Sequence, residues 1–349
     1  MQRRRVTLAI VLLAGVATWA APADRTDDYV KSQIASFELP GLSLAVIRNG
    51  EVIKTGGYGF ADVQQKRTAE PATVYKIGSV SKQFIATGIM LLVQEGRIGL
   101  DDPVSRHVDG APASWQPITV RHLLTHTAGL VRESPAFDPS KTQSDAAVIK
   151  AAYSVPLRFQ PGAKWEYSNV GYYVLADMIR IVTGQPWDQY LEQKVFAPAG
   201  MRTTFPTSAK RSGPDFALGY TGDGHRRLAD DWLALRPSGA FRSTVLDLAR
   251  WDALLYTDAP LSEATRRLMW TPVRLNDGTT APYGFGWHVQ SVNGRLRVRH
   301  GGGLPGFSAE LVRYVDDRLT IVVLTNGDDS DLPSIANGVA ALYLPEPRH

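Results

Sequence analysis

Apolar and polar positions follow two different periods along this chain, and the change of period divides it. Leu42–Val46 and Glu51–Tyr58 read as strands flanking Arg48-Asn49-Gly50, a hairpin turn signal. Asp24–Phe37, just before them, reads as a short polar helix. From Val80 to Gln94 the period becomes helical, with Phe84, Ile85, Ile89, Leu92 and Val93 on the apolar stripe and Gly96 as the stop. Helical spacing continues over Val120–His126, Ala146–Tyr153, Val170–Val182 and Val245–Tyr256. Strand signals return at Tyr283–Gln290, Arg295–His300, Phe307–Val315 and Leu319–Thr325, and Asp331–Tyr343 reads as a closing helix. Strands at both chain ends with helices between them predict an α/β (α+β) fold. In it, one antiparallel sheet is built from both termini, flanked by terminal helices, with a mainly helical region inserted. The sheet region spans about 24–75 and 275–349 and the helical region about 76–274. No Gly/Ser- or Pro-rich linker and no repeat interrupts 24–349, which predicts a single domain.

Composition narrows the class. A chain of 349 residues with 44% apolar and 21% charged positions is globular. The absence of cysteine removes disulfide frameworks, thiolate zinc sites, a thiol nucleophile and a lipidated cysteine anchor. The net charge of +4 is concentrated at the start, where Arg3-Arg4-Arg5 precedes an apolar run from Val6 to Val16 and the small residues Ala17, Ala20, Ala21 and Ala23. This is the layout of a secretory signal peptide over residues 1–23. The run falls short of the ~20 residues a spanning helix needs. The alternative is a retained anchor. Cleavage removes three arginines and no acid from the +4 total and leaves +1, so nothing supports a nucleic-acid partner. The expectation is a periplasmic or secreted protein without a stable membrane span.

Three short motifs carry candidate chemistry. Ser79-Val80-Ser81-Lys82 opens the first strong helix. Positions i and i+3 share a helix face, so Lys82 can reach the Ser79 hydroxyl, and a helix N-terminus favours negative charge. A lysine desolvated among apolar neighbours can act as a base. The bland alternative is a capping Ser beside a solvated Lys; about 0.6 chance matches to S-x-x-K are expected in such a chain. Tyr167-Ser168-Asn169 stands at the entrance of the helix from Val170, where a phenol can share a proton and an amide can hold a lysine or a carbonyl. Its alternative is Asn169 as a helix cap and Tyr167 at the core edge. His300-Gly301-Gly302-Gly303 follows a strand whose alternation puts Leu296, Val298 and His300 inward and Arg295, Arg297 and Arg299 outward. The glycines admit a substrate backbone, and N–H groups at Gly303 and Ser79 can hold an oxyanion. Here the alternative is a turn after a strand with a buried His. Each motif falls where its role requires, and that agreement is the main warrant for reading them together.

With Lys76–Phe84, Leu123–Leu130, Phe159–Gly162, Tyr283–Trp287 and Gly301–Phe307 added, the chain resembles the serine β-lactamase/penicillin-binding-protein-like hydrolases. In particular it resembles their class C-related group of esterases, D-amino-acid peptidases and uncharacterised serine hydrolases. The resemblance implies a β-lactamase/transpeptidase-like fold, a nucleophile at Ser79, a base at Lys82, a proton shuttle at Tyr167 and a substrate or lysine contact at Asn169. The third motif, read from its strand, adds substrate contacts at His300, Gly301, Gly302 and Gly303. One departure matters. β-Lactamase members usually carry Lys-Thr-Gly where this chain has His300-Gly301-Gly302, and a His is mostly neutral at neutral pH, which weakens a carboxylate clamp. Arg299 points away by strand alternation.

The expected function is therefore an exported serine hydrolase that cleaves an ester or amide bond through an acyl-enzyme. Its small-molecule substrate would be an ester, an amide or a D-amino-acid peptide. A D,D-peptidase or weak β-lactamase is the alternative within enzymes, and a non-catalytic peptidoglycan-fragment binder the alternative outside them. No metal and no cofactor is expected. Gly301-x-Gly303-x-x-Gly306 matches a dinucleotide fingerprint but is broken by Pro305 and followed by a strand. His122 and His126 have i, i+4 spacing without the Glu of H-E-x-x-H, which favours a structural helix over zinc.

Overall fold

The computed structural model describes residues 22–345, except 142, 210, 212, 223, 225, 226, 233–236 and 329. Most of the signal peptide expected at 1–23 lies outside the described residues. Helix α1 (Pro22–Ser36) leads into strands β1 (Gly41–Arg48), β2 (Glu51–Asp62) and β3 (Arg67–Thr68). The chain then passes through helices α2 (Lys82–Gln94), α3 (Asn169–Thr183) and α4 (Val245–Leu254), with shorter pieces between them. It returns as β4 (His288–Val292), β5 (Arg295–Leu304), β6 (Phe307–Tyr314) and β7 (Leu319–Thr325), and closes with α5 (Leu332–Ala341).

The seven strands form one sheet in the order β4-β5-β6-β7-β1-β2-β3. The two chain ends meet where β1 pairs antiparallel with β7, from Leu42 opposite Thr325 to Arg48 opposite Leu319. Asn49 and Gly50 take the left-handed conformation (φ 56° and 80°) that a two-residue hairpin loop requires. β1 and β7 are mostly apolar runs rather than alternating ones, and β6 is buried at every position, because both faces of the sheet are covered. Leu42, Leu44, Val46, Ile321 and Val323 pack with Val30 of α1 and Ile335 and Val339 of α5. Ala45, Ile47, Val322 and Leu324 face the main core, which includes α2. No described helix is long and apolar enough to cross a membrane.

Helix α2 is buried on every side from Lys82 to Leu92. Phe84 is edge-on to Phe196, Phe241 and Trp251 at 5.0, 5.9 and 5.2 Å between centroids. Gly88 lets α3 approach, since a Cβ there would lie 2.8 Å from Ile179 Cδ1. The helix that carries Ser79 at its entrance is thus the central post of the core.

Three expectations shift. The helix expected over Val120–His126 ends at Leu124. Thr125 Oγ1 donates back to the Arg121 carbonyl, and His126 turns left-handed at φ 60°, so His122 and His126 share no helix face. The strand expected over Tyr283–Gln290 is confined to His288–Val292. Gly284 and Gly286 break the earlier part by packing against the Met269 and Lys82 carbonyls, at 2.1 and 2.9 Å from where a Cβ would stand. The strand expected to stop at His300 continues through Gly301, Gly302 and Gly303 to Leu304.

Candidate active site

Residues Gly78–Ser81 form one turn of 3-10 helix that runs straight into α2. Gly78 enters that turn at φ 50°, and a Cβ there would stand 2.8 Å from the Gly303 nitrogen. On the facing strand, a Cβ on Gly302 would stand 2.0 Å from the Ile77 carbonyl oxygen and 3.0 Å from the Ser79 nitrogen. Glycine at both positions lets β5 press on the Ser79 turn backbone to backbone. Ser79 is half-buried, while Val80 and Ser81 on either side of the turn are in the core.

Lys82 follows one turn later and is fully buried. Its Nζ donates to Ser79 Oγ at 3.2 Å, to Asn169 Oδ1 at 2.8 Å and to the Ser238 carbonyl at 2.8 Å. These oxygens surround the buried amine in place of water. The i, i+3 spacing does bring hydroxyl and amine together.

Tyr167 and Asn169 reach the same point from the start of α3. Ser168, not Asn169, is the cap: its Oγ accepts from the Gly171 N–H and donates to the Val131 carbonyl. That frees the Asn169 amide. Its Oδ1 faces Lys82 and its Nδ2 donates to Glu133 Oε1 at 2.5 Å. An ionised carboxylate only accepts, so Glu133 determines which way the amide points. The Lys82 Nζ lies 4.7 Å from the Tyr167 ring centroid, and the Arg132 guanidinium carbon lies 5.2 Å from it.

His300 is 2% exposed and both of its nitrogens are engaged. Nδ1 lies 2.7 Å from the Gly301 carbonyl, which can only accept, so Nδ1 carries the hydrogen. Nε2 then accepts from the Tyr283 hydroxyl at 2.9 Å. Burial, reinforced by His288 and Lys82, holds His300 well below the ordinary imidazole range. His126 is also buried and neutral, for burial first and Lys82 second. It stacks 4.3 Å from the Tyr167 ring and accepts the Ser168 N–H at Nδ1, which leaves its Nε2 hydrogen buried without a partner. His288 is pushed down to about 4, again by burial first and then by Arg299 and Lys82. Burial, with Tyr172 and Tyr167 nearby, raises the Tyr283 phenol well above its usual value.

A cavity of about 710 Å³ opens over these groups, lined by Ser79, Tyr167, His300, Gly301 and Gly303 and, at its rim, by Arg132. Arg299 lines it too, and what withholds this guanidinium is its pairing with buried Glu310 at 2.7 and 2.5 Å. A slightly larger cavity of about 740 Å³ lies around Lys76 and Phe307 and includes neither Ser79 nor Lys82. The reactive groups, not the size, mark the smaller one as the site.

All eight candidate residues therefore come together: Ser79, Tyr167, His300, Gly301 and Gly303 line one cleft, Lys82 and Asn169 are bonded in sequence behind Ser79, and Gly302 abuts the Ser79 turn. The sequence reading singled out neither Glu133 and Arg132, which lie in a loop without periodicity, nor Ser238, in a single 3-10 turn, nor the individual roles of His126 and Tyr283. Those two sit inside Leu123–Leu130 and Tyr283–Trp287, segments already noted as motifs. The arrangement offers a hydroxyl, an adjacent buried amine, a phenol and a strand edge with closely spaced backbone N–H groups. These are the parts acyl transfer needs.

Comparison with known proteins identifies the family. A family profile described as Beta-lactamase matches residues 26–344. Penicillin-binding protein 4* of Bacillus subtilis (strain 168) is 34% identical over 304 residues, covering 80% of this chain and 66% of that protein. The chain thus spans just under two thirds of that relative's length. Among solved structures, the octameric penicillin-binding protein homologue from Pyrococcus abyssi superposes with a TM-score of 0.80 at 26% identity, over 92% of this chain and 77% of the other. The D-amino acid amidase from Ochrobactrum anthropi SV3, complexed with L-phenylalanine, gives a TM-score of 0.76 at 25% identity, over 92% and 96%.

Proposed function

Because this chain belongs to the Beta-lactamase family of serine hydrolases, we propose that it cleaves an acyclic ester or amide through an acyl-enzyme on Ser79. Ser79 Oγ attacks the carbonyl carbon, and its proton passes to the Lys82–Tyr167 pair. The same pair returns a proton to the leaving oxygen or nitrogen as the carbonyl–heteroatom bond breaks. The N–H groups of Ser79 and Gly303 hold the oxyanion, and water then releases the acid from Ser79. Asn169 orients Lys82, and Gly301 and Gly302 receive the substrate backbone along the strand. The Arg3–Arg5 and Val6–Val16 pattern supports export to the periplasm or exterior as part of this reading.

The observation that carries the substrate class is the state of His300. A neutral ring with both nitrogens spent on Gly301 and Tyr283 offers no positive charge to a β-lactam carboxylate. His300 then acts as a wall that positions Tyr283 and the strand rather than as a clamp. Likeness to a D-amino acid amidase favours the amide branch, with a D-amino acid amide as a second substrate to try. The test is a kcat/KM comparison among short p-nitrophenyl esters, a D-amino acid p-nitroanilide and nitrocefin. The ester or anilide should exceed nitrocefin, and fast nitrocefin turnover with negligible ester cleavage would overturn the assignment.

A further inference from the structure

Away from the Ser79 cleft, a cavity of about 500 Å³ lies between Tyr256, just past α4, the helix Glu263–Met269 and the hairpin that joins β6 to β7. None of Ser79, Lys82, Tyr167 and His300 lines it. At its base is Arg313 of β6, which is 1% exposed. The Arg313 guanidinium carbon sits 4.7 Å from the Tyr256 ring centroid and 4.9 Å from that of Trp270. Asp252 Oδ1 lies 2.8 Å from Nε and balances the charge. Asp252 Oδ2 has no partner, so these two side chains meet through one contact and not as a fork. Nη1 and Nη2 of Arg313 and the Tyr256 hydroxyl are buried and reach no hydrogen-bond partner among the described residues. Buried donors are rarely left unmet, and the cavity is far larger than a single water requires.

A second guanidinium stands at the mouth. Arg318 is exposed, lies 4.2 Å from the centroid of the same Tyr256 ring, and makes no hydrogen bond or ion pair through its side chain with any described residue. Its backbone is fixed by the Asn49 N–H, which donates to its carbonyl at 2.9 Å. The other cations of the cavity are committed. Arg266 donates to the Thr257 and Leu261 carbonyls, and Arg267 to Glu263 at 2.8 Å. Asp316, at the rim, is exposed and accepts the Leu296 N–H at 3.2 Å. With Asp252 and Asp316 close by, one uncommitted cation suits a monoanion better than a dianion. Leu255, Leu296, Val315 and Trp270 supply apolar walls, which match an organic body and not a bare ion.

We infer that this cavity is a second binding site, separate from the serine cleft, for a small organic monocarboxylate. Its carboxylate takes the free donors of Arg313 and Arg318, and its apolar body rests against Leu296 and Val315.

Isothermal titration of the wild type with cyclohexanecarboxylate at fixed ionic strength tests the site. Saturable binding is expected with a Kd of about 1 mM or below. Cyclohexanecarboxamide, of the same shape without the charge, should bind about 10-fold or more weakly, as a lost charge-assisted hydrogen bond requires. Inorganic phosphate should bind more weakly than the carboxylate. Arg318→Gln, at an exposed position, should raise the Kd by about 10-fold. Arg313→Lys keeps a charge beside Asp252 without the fork and should weaken binding too; if it fails to fold, Arg318→Gln decides alone. Arg132→Gln, at the rim of the serine cleft, should leave the Kd unchanged. No saturable heat, equal affinity for the carboxamide, or a Kd unmoved in Arg318→Gln overturns the site. Tighter binding of phosphate overturns the monocarboxylate class. Binding lost in Arg132→Gln and kept in Arg318→Gln puts the carboxylate in the serine cleft and overturns a second site.

Discussion

Lowering the pH from 7 to 5 should destabilise this protein, and the histidines of the active site set the amount. His126, His288 and His300 all have folded pKa values below the unfolded value of about 6.5. Below pH 6.5 the unfolded chain takes up protons at these positions while the folded chain does not. Stability is then fully present above 6.5 and falls as pH drops, down to about 4 for His288. At pH 5 His288, held at about 4, costs about 2 kcal/mol, and His126 and His300 act in the same direction. Asp145 opposes them. Burial holds its carboxyl up at about 6, so it recovers about 1 kcal/mol over the same interval. Glu310 and Asp252, also raised by burial, act in Asp145's direction. For His288 against Asp145 alone the balance is a loss of about 1 kcal/mol, and His126 and His300 deepen it, against the ~5–15 kcal/mol a native protein has. In urea denaturation at fixed ionic strength the midpoint should fall by about 0.3 M or more for a slope near 3 kcal/mol/M. His126→Gln should reduce the dependence of stability on pH by up to about 1.4 kcal/mol per unit. A midpoint that is flat or rises on acidification, or a slope unchanged in His126→Gln, refutes the assignment of neutral buried imidazoles.

Other consequences follow from the same geometry. Phe84→Ala removes the ring packed edge-on by Phe196, Phe241 and Trp251 and should cost about 3–5 kcal/mol in chemical denaturation; a loss below 1 kcal/mol contradicts the central-post description of α2. Gly302→Ala places a Cβ 2.0 Å from the Ile77 oxygen and must move the Ser79 turn off the strand. Acylation should slow by about 100-fold or more, and a change within threefold shows that the contact is not tight. Glu133→Gln removes the pure acceptor that orients Asn169, so kcat should drop about 10-fold with little change in KM. An unaltered kcat means the Asn169 amide keeps its orientation without it.

Much of this site was legible because periodic elements carry it. Ser79 and Lys82 lie one turn apart on a strongly apolar helix, Tyr167 and Asn169 at the entrance of another, and the glycines on a strand whose alternation gave the inward face of His300. Each fact is local, and local pattern is what a sequence displays. Glu133 and Arg132 were invisible because their importance comes from a loop folding back on α3, a contact with no period. Ser238 contributes only its carbonyl, which no side-chain motif reveals. The helix expected to run to His126 failed for a related reason. Thr125 bonds back to Arg121 and a left-handed turn throws the imidazole against Tyr167, so tertiary packing outweighed a weak helical stripe. The prolonged strand beyond His300 shows the converse. Glycine runs signal turns, but here Gly302 is required by the close approach of the Ile77–Ser79 backbone.

The central claim is that Ser79 becomes acylated with Lys82 beside it. Intact-mass spectrometry after incubation with an alkyl fluorophosphonate addresses it most directly. The wild type should gain one covalent adduct, mapped by digestion to the peptide containing Ser79, and Ser79→Ala should gain none while keeping its folded spectrum. An adduct of the same mass on Ser79→Ala, or a wild type that turns over substrate without ever acquiring one, contradicts the account.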